Sequence, residues 1–368
     1  MGEQEKPLLA LVMIVKNEAA GMRRTLESVK NCVDTWSILD TGSTDGTQDI
    51  IREVLGALPG ELHSGPFVNF EATRNRALEL AGERAVFDLL LNGDDALREG
   101  EALRAFCETR RHSQRAEDEA FQVRVRYSAE LIHDSPRVVR ASAGWRYLGV
   151  THEILCHPER DPPLERVPGA WIEHDLRPED DRTRRWEEDL ELLREDLERR
   201  PGDTRSTFYL AQTYECLGRL EEAEETYQQR VALGGWEEEV YESLFRLGRV
   251  AEARGVSWAE CQQRYLDAFA HSPYRAEPLF AVAWHWYQAQ NWPLCYLFAK
   301  RGAEIPFPDR ARLFVDVTVY ESKLLDLVGT SAYYVGEFAS GRAALERLLK
   351  ANPGDARLVA NLKLYPPG

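Results

Sequence analysis

The chain has 368 residues, 43% hydrophobic and 10% aromatic. That excludes a disordered chain and suffices for about two domains, each with its own core. Acids outnumber bases 62 to 46, leaving a net charge of −16, which excludes nucleic acid as the partner class but not a local basic pocket for one nucleotide.

The N-terminal stretch Met1–Lys6 is acidic and polar, unlike a signal peptide, and Lys6 breaks the myristoylation pattern. The longest apolar run, Leu8–Val15, is far short of the roughly 20 residues of a spanning helix, so no membrane span is expected and the expected location is the cytoplasm. Six scattered cysteines without a C-x-x-C pair read as reduced, mostly buried thiols.

Continuous apolarity predicts that Leu8–Val15 is a parallel strand buried on both faces. Met22, Leu26, Val29 and Val33 follow at helical spacing, and Trp36–Leu39 is a second strand. Thr44–Leu58 opens with capping residues and carries Ile50, Ile51, Val54 and Leu55 on one face, which predicts a helix. Asn69–Ala81 is another helix and Ala85–Leu91 another buried strand. This alternation predicts an α/β domain with a parallel sheet. Phe121–Tyr127 alternates with period two, Arg137–Arg140 more weakly; both are predicted as half-exposed antiparallel additions at one side.

Near Arg177 the composition changes, giving predicted domains of 1–177 and 178–368. Trp186, Leu190, Leu193 and Leu197 mark a long solvated helix. Within Pro201–Tyr227, the residues Tyr209, Ala211, Leu217-Gly218, Ala223 and Tyr227 resemble the tetratricopeptide pattern. Cys261 and Tyr265 lie 38 residues beyond Ala223 and Tyr227, and Cys295 and Ala299 a further 34 on. The period predicts two or three imperfect repeats, an all-α solenoid of tetratricopeptide type; an ordinary helical bundle is the alternative. Ser331–Leu349 adds a helix pair with Gly336 in its turn. Trp284, Trp286, Tyr287 and Trp292 read as inter-helix core rather than as a carbohydrate platform.

The chemistry concentrates in Met13-Ile-Val-Lys-Asn-Glu18 and Leu39-Asp-Thr-Gly-Ser-Thr-Asp-Gly-Thr47. Each is a buried strand ending in polar residues and turning into a helix, where open α/β sheets bind ligands. Asp40, at a strand end, can accept hydrogen bonds from a base N–H or ribose hydroxyls, while Gly42 and Gly46 permit a tight turn. No Lys follows the glycines, so this is not a P-loop, nor is it a G-x-G-x-x-G fingerprint.

These two motifs together resemble the family-2 glycosyltransferases of the GT-A fold, nucleotide-diphospho-sugar transferases with a Rossmann-like sheet. The resemblance extends through Asn69-Phe-Glu-Ala-Thr-Arg-Asn-Arg-Ala77, similar to the family's Arg-Asn helix, and Leu89-Leu-Leu-Asn-Gly-Asp-Asp95, at its D-x-D metal motif. Gly149-Val-Thr-His-Glu153 and Ile172-Glu-His174 resemble the His-Glu pair and distal histidine of the branch carrying tetratricopeptide repeats. It covers about residues 8–176, with the repeats beyond. It implies inverting transfer of a sugar from a nucleotide diphosphate, a UDP-sugar in our reading, with Mn²⁺ or Mg²⁺. By position it implies Asp40, Glu18, Arg74, Asn92, Asp94 and Asp95 at the nucleotide sugar, and Asp94, Asp95 and His174 at the metal. Glu153 would be the general base, with His152 holding it or sharing its charge. One departure matters: Asn92 stands where D-x-D has its first acid, so it accepts hydrogen bonds but brings no charge, and Asp94 would carry most of the metal binding with Asp95 helping.

Blander readings stand beside these. Asp94-Asp95 could cap a helix at Leu97, Arg74 could be an exposed helix arginine, and His174 a satisfied core histidine. Asp134, in the segment Ile132–Pro136, is either a rival base or a turn residue ahead of Pro136. Two functions from different classes follow: an inverting glycosyltransferase whose acceptor, a peptide or protein, is recruited by the repeats, or an inactive sugar-nucleotide-binding domain serving a protein-interaction scaffold. A sugar-phosphate nucleotidylyltransferase would want a Gly-rich basic loop where Lys16-Asn17-Glu18 stands.

Overall fold

The alternate side chains of the first strand, β1 (Leu9–Val15), feed two separate cores. Leu9, Leu11, Met13 and Val15 join one hydrophobic cluster, while Ala10 and Val12 join another. That double burial is why the strand is apolar throughout. The computed structural model describes residues 5–127, 132–175 and 180–366, so the predicted junction at 177/178 lies outside the described residues.

β1 pairs in parallel with β2 (Thr35–Asp40), which pairs in parallel with β3 (Gly60–Ser64); on its other side β1 pairs in parallel with β4 (Phe87–Leu90). The remaining strands are β5 (Asp95–Arg98), β6 (Ala120–Arg126), β7 (Ile132–Arg140), β8 (Arg146–Leu148), β9 (Ile154–Cys156) and β10 (Glu165–His174). Eight of them form one sheet in the order β3-β2-β1-β4-β7-β6-β10-β5, and β8 and β9 form a separate antiparallel pair. Helices α1 (Ala19–Val29), α2 (Thr47–Leu55), α3 (Phe70–Ala81) and α4 (Gly100–Glu108) cover it. Met22, Leu26, Ile51, Leu55, Leu103 and Phe106 of α1, α2 and α4 pack into the first cluster. Ala77 and Ala81 of α3, with Trp145 and Leu155, pack into the second.

The sheet is mixed: β3, β2, β1 and β4 form the expected parallel part, and the expected antiparallel addition enters as β7, inside the sheet rather than at its margin. β7 is antiparallel to both β4 and β6 and lies within the sheet, while β6 runs parallel to β10. The connection between Arg126 and Ile132 is too short for a parallel crossover, so β6 and β7 must pair as a hairpin. The segment Ile132–Pro136 belongs to β7 rather than to a loop. The ladder steps from Phe121↔Val138 to Gln122↔Pro136, which leaves Arg137 as the extra residue of a bulge. Proline, lacking an N–H, is tolerated at such an irregularity. Asp94-Asp95 caps no helix: Asp95 opens β5, and α4 starts at Gly100.

Contacts divide the chain into two units, Met1–Leu192 and Leu193–Gly368, the division falling inside α5 (Asp180–Arg199). The second unit is all-helical and its repeats resemble the tetratricopeptide type. Four consecutive helix pairs are α6 (Thr204–Cys216) with α7 (Leu220–Leu233), α8 (Glu237–Ala253) with α9 (Trp258–His271), α10 (Glu277–Gln288) with α11 (Trp292–Ala303), and α12 (Leu324–Tyr334) with α13 (Phe338–Ala351); α14 (Ala356–Leu362) follows. The residues that set the predicted period, Ala223, Tyr227, Cys261, Tyr265, Cys295 and Ala299, are all buried on the second helix of a pair. Close approach of paired helices rests on small residues: a Cβ at Gly248 would lie 2.6 Å from the Tyr265 ring, and one at Gly329 2.7 Å from Leu345. Trp286 and Tyr287 pack on the core as expected, but Trp284 is 44% exposed. All six cysteines are free; four are buried, and Cys216 is exposed. Among the described residues no helix is long and apolar enough to cross a membrane.

Asp88, on β4 between Ala10 and Val139, is 3% exposed, and its Oδ1 has no hydrogen-bond partner among the described residues. Burial pushes its carboxyl up to about 8, only partly opposed by Lys6. The unfolded carboxyl titrates near 3.8, so between that pH and about 8 the folded state holds a proton that the unfolded state has lost. This group therefore destabilises the fold increasingly as pH rises through that window. Asp88→Asn is expected to raise stability by about 1–3 kcal/mol at pH 7.5, with the gain shrinking toward pH 4. Denaturant unfolding at both pH values checks this; equal gains at both would refute the assignment.

Candidate functional site

Because β1, β2 and β4 are parallel, their carboxyl ends open on one edge, where the loops after them meet. The two loops of the principal motifs are laced together. The Asn17 N–H donates to Ser43 Oγ at 2.9 Å, the Glu18 N–H to Thr47 Oγ1 at 2.8 Å and the Ala19 N–H to Asp45 Oδ2 at 2.9 Å, while Asn17 Oδ1 accepts from the Thr44 N–H at 2.8 Å. Asn17 adopts φ 55° in this turn, a conformation Asn tolerates better than most residues. Ser43, Asp45 and Thr47 thus act as caps for the first loop rather than as free ligand groups.

Asp40 ends β2 and is 1% exposed. Its Oδ1 accepts from the Gly42 and Ser43 N–H groups, both at 2.9 Å, and from Gln48 Nε2 at 3.0 Å. Burial alone would raise its pKa, but the Ser43, Gly42 and Gln48 hydrogen bonds outweigh it and hold the carboxyl below the usual carboxylate range. Oδ2 has no hydrogen-bond partner among the described residues, an orphaned acceptor in a buried ionised group.

The Asn92–Asp95 turn is clamped by α1. Thr25 Oγ1 donates to Gly93 O at 2.9 Å and Arg24 Nη2 to Asp94 O at 3.0 Å. Glu18 lies directly against this turn, since a Cβ at Gly93 would come within 2.5 Å of Glu18 Cγ. Asp95 is fully buried. Its Oδ2 accepts from the Asn92 N–H at 2.9 Å and lies 3.4 Å from Arg137 Nη1, and its Oδ1 is 2.8 Å from His174 Nδ1. The antiparallel register of β10 and β5 places His174 opposite Asp95, with Tyr127 against the imidazole at 4.5 Å. Burial would raise the Asp95 pKa, but Arg137, His174 and the Asn92 amide prevail and lower it. Asp94 Oδ1 lies 3.6 Å from His174 Nδ1. One ligand atom each from Asp94, Asp95 and His174 falls within 4.8 Å of the others, a spacing that could hold a metal ion. Two carboxylates and an imidazole fit Mn²⁺ or Mg²⁺ in donor type. Of the three, Asp95 is the one whose two oxygens both face partners, Asn92 and Arg137 on one and His174 on the other.

Helix α3 holds the third part. Asn69 caps it by accepting the Ala72 N–H at 2.7 Å. Asn75 pairs twice with the Tyr147 backbone, at 2.9 and 2.8 Å, and Glu71 accepts the Gly149 N–H at 2.7 Å. Thr151 Oγ1 donates to Asp189 at 2.6 Å. The turn so fixed carries His152, exposed at φ 50°, and Glu153, half-buried. Arg74 is mostly buried, not an exposed helix arginine: its Nε lies 2.6 Å from Glu153 Oε1, its Nη2 donates to Asn92 Oδ1 at 2.8 Å, and its guanidinium sits 5.2 Å from the Tyr147 ring centre.

Three groups therefore meet at the sheet's carboxyl edge: Asp40 with its orphaned oxygen, Arg74 with Asn92 and Glu153, and Asp94 with Asp95 and His174. The rival base Asp134 is not a turn residue: it is a β7 residue that pairs with Arg124 at 3.2 Å and Arg166 at 3.4 Å. Sequence reasoning missed Arg137 and the capping roles of Asn17, Ser43, Asp45 and Thr47. Pro136 was the available signal for the bulge that carries Arg137, and Asn75, beside Arg74, was seen in its motif without a role.

No family model matches the chain. A TPR repeat-containing protein of Synechococcus elongatus is 37% identical over 115 residues, 31% of this chain and 26% of that protein, so the chain spans about a quarter of the length of this curated relative. Among solved structures, YrrB, a TPR protein with an unusual peptide-binding site, is similar at 13% identity and TM-score 0.36, covering 46% of this chain and 79% of its own. S. aureus TarS 1–349 in complex with UDP-GlcNAc is similar at 12% identity and TM-score 0.42, covering 67% of this chain and 87% of its own.

The lacing of the two loops is testable by stability. Asp45→Ala removes the acceptor at the start of α1 and is expected to cost about 1 kcal/mol. The exposed Asp49→Ala should stay within about 0.5 kcal/mol of wild type. Equal midpoints for the two variants in denaturant unfolding would show that Asp45 caps nothing of consequence.

Proposed function

We propose that the N-terminal unit is a GT-A-type glycosyltransferase that moves a sugar from a nucleotide diphosphate, a UDP-sugar, to a peptide or protein acceptor. The observation that carries this reading is the convergence of Asp94, Asp95 and His174 beside the Arg74–Asn92–Glu153 group, at the carboxyl ends of parallel strands. Asp40 Oδ2 can accept an N–H from the base, which would satisfy its orphaned acceptor. Asp94 and His174 would hold Mn²⁺ or Mg²⁺, with Asp95 fixing the imidazole. When bound, the ion supplies positive charge to the leaving diphosphate. Glu153 takes the acceptor's proton as the acceptor attacks the sugar. Arg74 orients Glu153 and Asn92; with two such partners, it acts as a positioning residue more than as a diphosphate clamp.

A second reading keeps the same nucleotide site without turnover, in a protein whose helical repeats are the working part. It is favoured by Asn92, which brings no charge where the metal motif has an acid. Hydrolysis of the sugar nucleotide in the absence of acceptor separates the two, because only an enzyme hydrolyses its donor.

The site assignment predicts that UDP binds more tightly with Mn²⁺ and that Asp94→Ala abolishes the gain. Loss of a charge-assisted contact should weaken binding by roughly 1.5–3 kcal/mol. Calorimetric titration of UDP into wild type and variant, each with and without Mn²⁺, decides; four identical affinities would reject the site. Glu153→Gln keeps the shape and removes the basicity. It should spare nucleotide binding while transfer falls by about 10²–10⁴-fold, measured by donor turnover. Transfer at the wild-type rate would mean another group takes the proton.

A further inference from the structure

After α11 the chain runs for residues 304–316 without regular helix before a helical turn leads into α12, and the helical unit grips this segment chiefly by its backbone. Glu238 Oε2, on α8, accepts the N–H groups of both Arg312 and Leu313, each at 2.7 Å. Arg275, just before α10, donates to Leu313 O and Phe314 O, each at 3.2 Å. Glu277 Oε1, on α10, accepts the Asp316 N–H at 3.3 Å. The Phe314 ring stacks on Phe208 of α6 at 6.5 Å and lies 5.0 Å from the Arg246 guanidinium of α8. The strap thus touches the first helices of three successive pairs.

The groups that hold it are rigidly prepared. Arg275 is 1% exposed, pairs twice with Glu277, at 3.1 and 2.9 Å, and stacks on Tyr241. The strap is not: Arg312 is exposed, Phe314 and Val317 are 47% and 44% exposed, and Phe314 adopts φ 46°, where a bulky side chain is strained. A segment that buries little of itself and is held by main-chain hydrogen bonds can be replaced by another extended chain, because backbone recognition carries little sequence information.

We propose that this face of the helical unit is a binding groove for an extended peptide in which a basic residue stands two positions before an aromatic one, and that residues 309–318 fill it as an internal competitor. The aromatic side chain would occupy the place of Phe314 against Phe208 and Arg246. Glu238, which already accepts the strap's N–H groups, and the exposed Glu237 beside it on the first turn of α8 favour the basic residue, whereas Glu239 is buried against Arg230. Tethering gives the strap an effective concentration on the order of millimolar, so a free peptide binds tightly only when the strap is loosened. This inference stands on the helical unit alone and is independent of the transferase reading.

The probe is a labelled synthetic peptide of residues 308–318, followed by fluorescence anisotropy against the full chain. Phe314→Ala removes the ring and keeps the strained backbone; a second variant replaces residues 309–317 with a glycine-serine linker of equal length. Both should bind the peptide at least about tenfold more tightly than wild type. Adding Glu238→Ala to the linker variant, or replacing the peptide's own phenylalanine by alanine, should reverse the gain. In wild type, excess peptide should speed amide hydrogen exchange across residues 309–318. Unchanged exchange in wild type, or folded variants that bind no better than wild type, would overturn the proposal.

Discussion

A single fully buried carboxylate, Asp95, constrains the N-terminal unit. Removing such a charge from water costs several kcal/mol unless partners surround it. Its partners come from three places at once: the Asn92 amide at the end of β4, Arg137 at the β7 bulge and His174 at the end of β10. None of these elements can drift without stranding the charge. The far half of the sheet, closed by β10 on β5, and the geometry of the candidate metal ligands are therefore set by one network. The same network separates neighbours in sequence: Asp95 is fully buried within it, while Asp94 beside it is only half-buried.

The first half of the sheet was legible because its signals are local. β1, β2 and β4 are apolar since they lie in the sheet's interior, and Asn69 announces α3 by capping it. What escaped depends on pairing at a distance. β3, Gly-Glu-Leu-His-Ser, has no apolar pattern because it is an edge strand, half-exposed or exposed throughout. The Ile132–Pro136 segment looked like a loop because proline and aspartate dominate it, yet the ladder with β6 and the bulge at Arg137 keep it in β7. The site's residues were legible as a set of types, but not their division of labour. Nothing in the spacing of Arg74, Asn92 and Glu153 tells that one guanidinium joins the other two.

In the helical unit, composition misleads about the surface. Many of its acids are engaged in internal ion pairs: Arg230 with Glu239 at 2.9 Å, Arg246 with Glu242 and Glu215 at 2.7 and 3.0 Å, and Arg275 with Glu277 at 2.9 Å. These link helices and cap turns, so the net charge of −16 is a poor guide to where a basic partner would be steered. The repeat signal at Tyr227, Tyr265 and Ala299 was readable because one buried position recurs on the second helix of the first three pairs. The strap between α11 and α12 has no periodicity to read, and its meaning comes only from what lies under it.

Asn92 is best understood through Arg74. Its neutral amide oxygen accepts from Nη2 at 2.8 Å, while the charge of the same guanidinium is answered by Glu153 at 2.6 Å. A carboxylate at position 92 would compete with Glu153 for that charge and would add a third carboxylate to the turn that holds Asp94 and Asp95. The amide preserves the hydrogen bond and avoids both costs. The amide at position 92 is thus matched to the Arg74–Glu153 pair: the turn after β4 carries one negative charge fewer than an acid there would give it, and the carboxylate on the 149–153 turn keeps its partner.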